Sequence, residues 1–214
     1  MTGAATLTAR LTDVLRCFAL GHGAITIDAR TLDGIGHLAG EQIRGPIKHT
    51  PLHILKLLSD GFSLRIAPYT KGTDGRPVDL PMLFACWHLA RTFDSDGRPV
   101  IESAAARPVR QALATMPRPS VLVDARHEVW AGWQLSKPLS PSAAPGLLSK
   151  LAARLGAVEM TWSELEGCHL PLVGTIRNWS TVHIEDIEIL EADPLRQFSI
   201  DEVINSAKGQ TTHA

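Results

Sequence analysis

Apolar positions repeat along this chain with a period that switches several times between that of a helix and that of a strand. Leu7, Leu11, Val14, Leu15 and Phe18 fall at helical spacing, and Gly21 stops that helix. A short strand, AITIDAR, follows at 24–30. In HTPLHILKLLSDG, Thr50 reads as an N-cap and Pro51 as the first helical residue. Leu52, Leu55 and Leu58 form the expected buried stripe, and Gly61 ends the helix. FSLRIAPY predicts a strand whose exit is fixed by Pro68. LPMLFACWHLA, at 80–90, is apolar almost throughout, as expected of a central strand covered on both faces.

The second half alternates in the same way. After the turn-rich FDSDGRP comes a predicted helix, IESAAARPVRQALATM, disturbed at its middle by Pro108. RPSVLVDARHEVWAGWQLSKPL, at 118–139, predicts two strands joined in a hairpin around Ala125 to Glu128. A helix over PSAAPGLLSKLAARLG precedes the turn-bearing LPLVGTIRNWST and a last strand near VHIEDIEIL. The pattern is that of an α/β (α+β) chain with a mixed central β-sheet flanked by helices. It contains no internal repeat or linker, so residues 1–205 are expected to form a single domain and 206–214 a flexible tail.

Composition narrows the setting. The chain has 214 residues, 44% hydrophobic and 20% charged, enough to bury a substantial core. Cys17, Cys86 and Cys168 are odd in number and lack CxxC spacing, which signals neither a disulfide framework nor a structural zinc site and fits a cytoplasmic protein. No stretch approaches the roughly 18 apolar residues of a membrane span, so no membrane partner is expected. The net charge of −1 hides an uneven distribution. Six cations between Arg44 and Arg76 face only Asp60 and Asp74, while seven acidic residues from Glu185 onward face only Arg196 and Lys208. A phosphate-facing region with a separate acidic surface and a pair of ordinary solvated faces are both compatible with that split.

Generic catalytic motifs are absent: there is no GxxxxGK[ST], GxGxxG, GxSxG or HExxH. His49 and His53 are four apart, but Pro51 lies between them at the helix start, and Cys168-His169 is a lone adjacent pair. Asp94 and Asp96 in FDSDG point the same way on an extended chain and are candidate catalytic residues and metal ligands for Mg²⁺. Asp-Ser-Asp-Gly is equally ordinary turn chemistry.

The order of these elements resembles the catalytic domain of the archaeo-eukaryotic primase superfamily, and more narrowly the small primases of the RepB type. The residues carrying the resemblance are the N-terminal helix, ITIDAR, the TPL helix ending in DG, SLRIAP, LPMLFACWHL, VLVDARHEVWAGWQLSKPL, and the Gly-Thr pair followed by Asn in LPLVGTIRNWST. The resemblance implies a primase-polymerase architecture, single-stranded DNA as a partner, a role in replication of a plasmid, phage or mobile element, and a replicative helicase or other replication protein nearby. An active form would use nucleoside triphosphates and Mg or Mn.

It also implies places for the site. The hairpin would line the cleft, its turn residues Arg126 and His127 near phosphates, with Arg65, Lys71, Arg177 and Asn178 as further nucleic-acid contacts. Trp133 would pack the core. Trp130 would face the cleft to stack on a base, or pack the core as well. Where the family places its first acids, this chain has Cys86, Trp87 and His88, none of which holds Mg²⁺ as a carboxylate does. The family's hairpin histidine falls near Trp130, where the nearest histidine is His127; its third acid would be met by Glu159 or Glu164. Two outcomes follow. Either Asp94 and Asp96 replace the missing acids together with Asp124 or Glu164, or nucleotidyltransferase chemistry is lost and binding remains. An extended displacement of six residues amounts to about 20 Å, which favours loss. A third class is a non-enzymatic interaction module using the acidic C-terminal segment.

Overall fold

The computed structural model describes residues 2–19, 24–31, 50–59, 62–89, 92–93, 95–96, 99–100, 107–125, 128–159, 170–177 and 184–206. Its elements are α1 (Thr2–Phe18), β1 (Ala24–Thr31), α2 (Thr50–Ser59), β2 (Phe62–Lys71), β3 (Pro77–His88), β4 (Thr92–Phe93) and β5 (Pro99–Val100). These are followed by α3 (Arg107–Ala114), β6 (Val121–Asp124), β7 (Glu128–Leu139), α4 (Ala144–Leu155), β8 (Leu170–Arg177), β9 (Ile184–Ala192), β10 (Gln197–Phe198) and α5 (Ile200–Ser206).

The main sheet runs β1-β2-β3-β7-β6-β9-β8, and β8 returns to pair with β2. β1 holds one edge of β2 along its length; on the other edge, β8 pairs with Leu64 to Ile66 and β3 with Thr70 and Lys71. The six strands β2, β3, β7, β6, β9 and β8 therefore close into a barrel-like ring. All these pairings are antiparallel; only the two-residue β10 lies parallel, beside Gln134 and Leu135 of β7. β4 and β5 form a separate small ribbon.

α1 forms where its apolar spacing predicts: Leu11, Val14, Leu15 and Phe18 have no exposed surface. Each such side chain contributes about 1.5–3 kcal/mol by burial. Arg10 Nη1 donates to the carbonyl of Ile189 at 2.6 Å, tying the helix to β9. In α2 the buried face differs from the expected one. Ile54 and Leu57 are buried and Leu58 packs against them, while Leu55 is only half-buried. With five aliphatic residues in LHILKLL, spacing alone does not choose the face; docking against α1 and β2 does.

Pro68 does not end its strand either. β2 continues to Lys71, and the pairing with β1 shifts between Ile25 and Ile27, opposite residues 66–70. A proline lacks an amide to donate, and a bulge is where a paired strand accommodates one. Pro108 is the second residue of α3, where the missing amide costs nothing, and the first part of the predicted helix, 101–106, lies outside the described residues. Of the turn-bearing stretch 170–181, residues 170–177 are strand β8 and 178–181 lie outside the described residues. Gly174, of the Gly-Thr pair, has φ +118°, and a Cβ there would sit 2.8 Å from Ser63 Cα of β2. It marks a close backbone approach at the closing seam of the ring.

β3, the hairpin and α4 form where the sequence predicts them. β3 is buried from Leu80 through Trp87. The 118–139 stretch forms the predicted hairpin, with Ala125 N–H donating to the Glu128 carbonyl at 2.9 Å. α4 ends at Gly156 in the left-handed conformation, φ 60°, as a C-capping glycine does. Among the described residues no helix is long and apolar enough to cross a membrane. The 206–214 tail, apart from Ser206, lies outside the described residues.

Candidate functional site

Alternation along β3 sends Cys86 and His88 to one face, and the ladder to β7 sets His88 opposite Glu128 and Cys86 opposite Trp130. Directly opposed residues share a face, so all four side chains point the same way. That face turns into the ring: the Trp130 indole N–H reaches across it to the carbonyl of Pro171 on β8 at 2.6 Å. Trp130 and Met82 fill the interior, and Gly132 is the gap that admits them, since a Cβ there would lie 2.5 Å from Met82 Sδ. The opposite face of the same strands packs under helices. Trp87 donates to the carbonyl of Leu155 at the end of α4, and Trp133 to that of Pro117.

At the mouth of the ring, where β3 ends and β7 begins, Cys86 Sγ, one imidazole nitrogen of His88 and a carboxylate oxygen of Glu128 lie within 4.8 Å of one another. This is a possible metal site. Cys86 is buried, Glu128 half-buried and His88 exposed, so the group opens to solvent on the histidine side. Cys86 Sγ is 3.7 Å from Glu128 Oε1. Arg65, from β2, places Nη2 3.1 Å from Glu128 Oε1 and 3.0 Å from Oε2. With both partners about one-fifth exposed, this pair is partly desolvated and holds the carboxylate in one orientation. The backbone is fixed as well: Val158 N–H, just past α4, donates to the Cys86 carbonyl at 2.7 Å.

The sequence-predicted residues distribute unevenly around this mouth. Arg65 is there, engaged with Glu128. Lys71 lies at the far end of β2 with its Nζ over the Tyr69 ring, 5.7 Å from the centroid. Trp130 is fully buried with its indole N–H satisfied, so the stacking role is corrected: its ring faces the packed interior and offers no surface to a base. Asp124 pairs with Val129, and Val129 and Glu128 point to opposite faces, so Asp124 does not converge on the group. It is buried beside β9, opposite Glu188. Asp96 is exposed in the turn between β4 and β5, and Glu159 is exposed beyond α4. Arg177 is the last residue of β8. Asp94, Arg126, His127, Glu164 and Asn178 lie outside the described residues, as do His49, Cys168 and His169.

Glu128 was read only as the end of a turn. The signal that could have revealed it is the hairpin itself, which starts β7 at Glu128, combined with the Cys-x-His alternation closing the apolar strand. What joins them is the β3–β7 register, a non-local pairing.

The donor set can be compared with the Mg²⁺ or Mn²⁺ that a primase-like fold implies. Mg²⁺ requires near-octahedral oxygen donors. A thiol, an imidazole and one carboxylate already engaged by a guanidinium do not fit it, and no step through Mg²⁺ is derived at this position.

No protein-family model and no curated protein matches the chain. Solved structures do. The chain is similar to the AEP domain of the primase-polymerase of cyanophage S-2L, with a TM-score of 0.60 at 14% identity, covering 93% of this chain and 97% of that one. It is similar to primase RepB′, with a TM-score of 0.55 at 11% identity, covering 94% of this chain and 62% of that one. It is also similar to the catalytic domain of primase RepB′ in complex with initiator DNA, with a TM-score of 0.52 at 11% identity, covering 94% and 93%. The chain has an archaeo-eukaryotic primase-like fold.

Proposed function

We propose that this chain, with its primase-like fold, binds single-stranded DNA in the replication of a phage, plasmid or other mobile element, and has exchanged primer synthesis at its barrel mouth for a different donor chemistry. One observation carries the reading. The strand end at which the family resemblance calls for acids bears Cys86 and His88, facing Glu128. Two-ion nucleotidyl transfer needs carboxylates that converge on a shared ion pair about 4 Å apart. Asp124 points elsewhere and Asp96 is exposed in a separate ribbon.

Binding is supported by likeness to a primase domain solved with initiator DNA. Arg65, Lys71 and Arg177 are our candidates for phosphate contacts, with Arg126, His127 and Asn178 beside them. A replicative helicase or other replication protein is the expected partner. The acidic C-terminal segment is the alternative docking surface, and two of its seven carboxylates are met internally. Glu191 pairs with Arg118 and Arg196, and Asp193 with Arg196 at 2.9 Å.

The test is titration of labelled single-stranded DNA at several salt concentrations, beside primer synthesis with nucleoside triphosphates and Mg²⁺ or Mn²⁺. We expect binding whose logarithm falls linearly with log salt, at about 0.7 per phosphate contacted, and no primer. Primer made by the native chain and lost in an Asp94→Ala/Asp96→Ala variant would overturn the loss of chemistry and restore a Mg- or Mn-dependent nucleotidyltransferase acting on nucleoside triphosphates. Absence of binding at low salt would overturn the nucleic-acid reading in favour of the interaction module.

A further inference from the structure

We infer that Cys86, His88 and Glu128 form a binding site for a borderline divalent ion of the Zn²⁺ class. The inference stands apart from nucleic-acid binding and rests on three features of the site. The first is donor chemistry. Thiolate and imidazole select Zn²⁺ and its spectroscopic surrogate Co²⁺ over Mg²⁺ or Ca²⁺, and a single carboxylate completes common three-residue zinc sets.

The second is spacing. Zinc bonds of about 2.0–2.3 Å put tetrahedral donor atoms roughly 3.3–3.8 Å apart. Cys86 Sγ and Glu128 Oε1 already stand 3.7 Å apart, and all three donors lie within 4.8 Å of one another. What remains is an inward movement of about 1 Å, and His88, exposed at the end of its strand, is the side chain free to make it. Three protein ligands leave a fourth position for water on the solvent side.

The third is support. Arg65 contacts both carboxylate oxygens through one nitrogen and so uses about two of the roughly four acceptor positions of the group. The others remain for an ion. Such an outer partner orients a ligand without displacing the metal. On binding, the Cys86 thiol releases its proton to solvent and the ion takes the place of the weak S–H contact to Glu128. Thiolate and carboxylate then neutralise the ion.

The experiment uses the full chain, stripped of metal and free of DNA, titrated with Co²⁺. One ion per chain is expected, with a thiolate-to-cobalt charge-transfer band and the intense visible bands of a tetrahedral ion. Zn²⁺ should displace it and a large excess of Mg²⁺ should not. Cys86→Ser should remove the charge-transfer band, and His88→Ala should weaken binding at least about tenfold, as loss of a ligand exceeds loss of an outer-shell partner. His88 is exposed, so its variant keeps the assay valid even where Cys86→Ser disturbs packing; circular dichroism confirms the fold. A band that persists in Cys86→Ser, an affinity unchanged in His88→Ala, displacement by equimolar Mg²⁺, or no band in the native chain would each overturn the site.

Discussion

Replacing Gly174 with alanine should loosen the barrel at the seam that closes it. At φ +118° a residue with a Cβ is strained whatever space surrounds it, which costs about 1–3 kcal/mol. Space is lacking too: the new methyl would meet Ser63 Cα at 2.8 Å and the Phe62 carbonyl oxygen at 3.2 Å, both backbone atoms of β2. Ordinary carbon contacts lie near 3.5–4.0 Å, so β8 must retreat by roughly 0.7 Å or more. The ladder beside it joins Leu64 to Val173 and Arg65 to Pro171, and weakening two of its bonds adds about 1–3 kcal/mol. A loss of about 2–6 kcal/mol follows, a large share of the 5–15 kcal/mol that holds a typical fold. In a chain of this size that is a fall in Tm of roughly 4–24 °C. Denaturant unfolding followed by tryptophan fluorescence measures it. The control is Gly146→Ala on α4, where a Cβ meets nothing within 4 Å and stability should rise by about 0.4–1 kcal/mol. If Gly174→Ala unfolds within 1 kcal/mol of the parent, β8 and β2 do not approach as described and the closure argument fails.

Three further outcomes are expected. Trp130→Phe should lower stability by about 1–3 kcal/mol by stranding the Pro171 carbonyl, yet leave single-stranded DNA affinity within about twofold; a large loss of affinity at unchanged stability would restore the stacking role. Burial, then Asp13 and Asp193, pushes the Cys17 thiol up to about 12, so peptide mapping should find it unalkylated in the native chain at mildly alkaline pH and alkylated after denaturation; native labelling at the rate of a free thiol would contradict this. Glu202 accepts the backbone N–H of Ser199 at 2.6 Å while Ser199 Oγ accepts from Glu202 N–H, a capping box that holds this carboxyl below its usual value of 4.5. A lowered value means the stabilisation is complete above the ordinary glutamate range and is lost as pH falls through the lowered one. The stability gap between parent and Glu202→Gln should therefore be present at neutral pH and close in acid; a gap independent of pH would refute the cap.

Much of the fold was legible because its signals are local. The α1 stripe needs only a 3.6-residue period, the hairpin only two apolar runs around a polar turn, and Gly156 only a helix to end. The misreadings share a cause. Pro68 and Gly174 are punctuation in a single strand, but here their conformations serve a neighbouring one: a bulge against β1 and a close approach to β2. The face of α2 was likewise chosen by tertiary docking among near-equivalent leucines. The site was half legible. Cys86 and His88 stood out as departures from an expected acid pair, but their convergence with Glu128 depends on the register between β3 and β7, more than 40 residues apart in sequence. Trp130 shows the same limit. Strand alternation separates its ring from that of Trp133, but does not reveal that both faces are covered, one by the ring interior and the other by helices.

The closing seam has a consequence for how the molecule is made. Ile66 pairs with Leu170, so the strand that opens the ring is synthesised 104 residues before the one that shuts it. At a translation rate of about 5–20 residues per second, β2 waits roughly 5–20 s with one edge uncapped. During that interval the nascent chain presents Leu64 and Ile66 beside unpaired backbone amides, an invitation to chaperones or to another copy on the same polysome. Slowing synthesis downstream of β7 lengthens that exposure, and yield in the cell should respond to codon choice there more than to changes before β2.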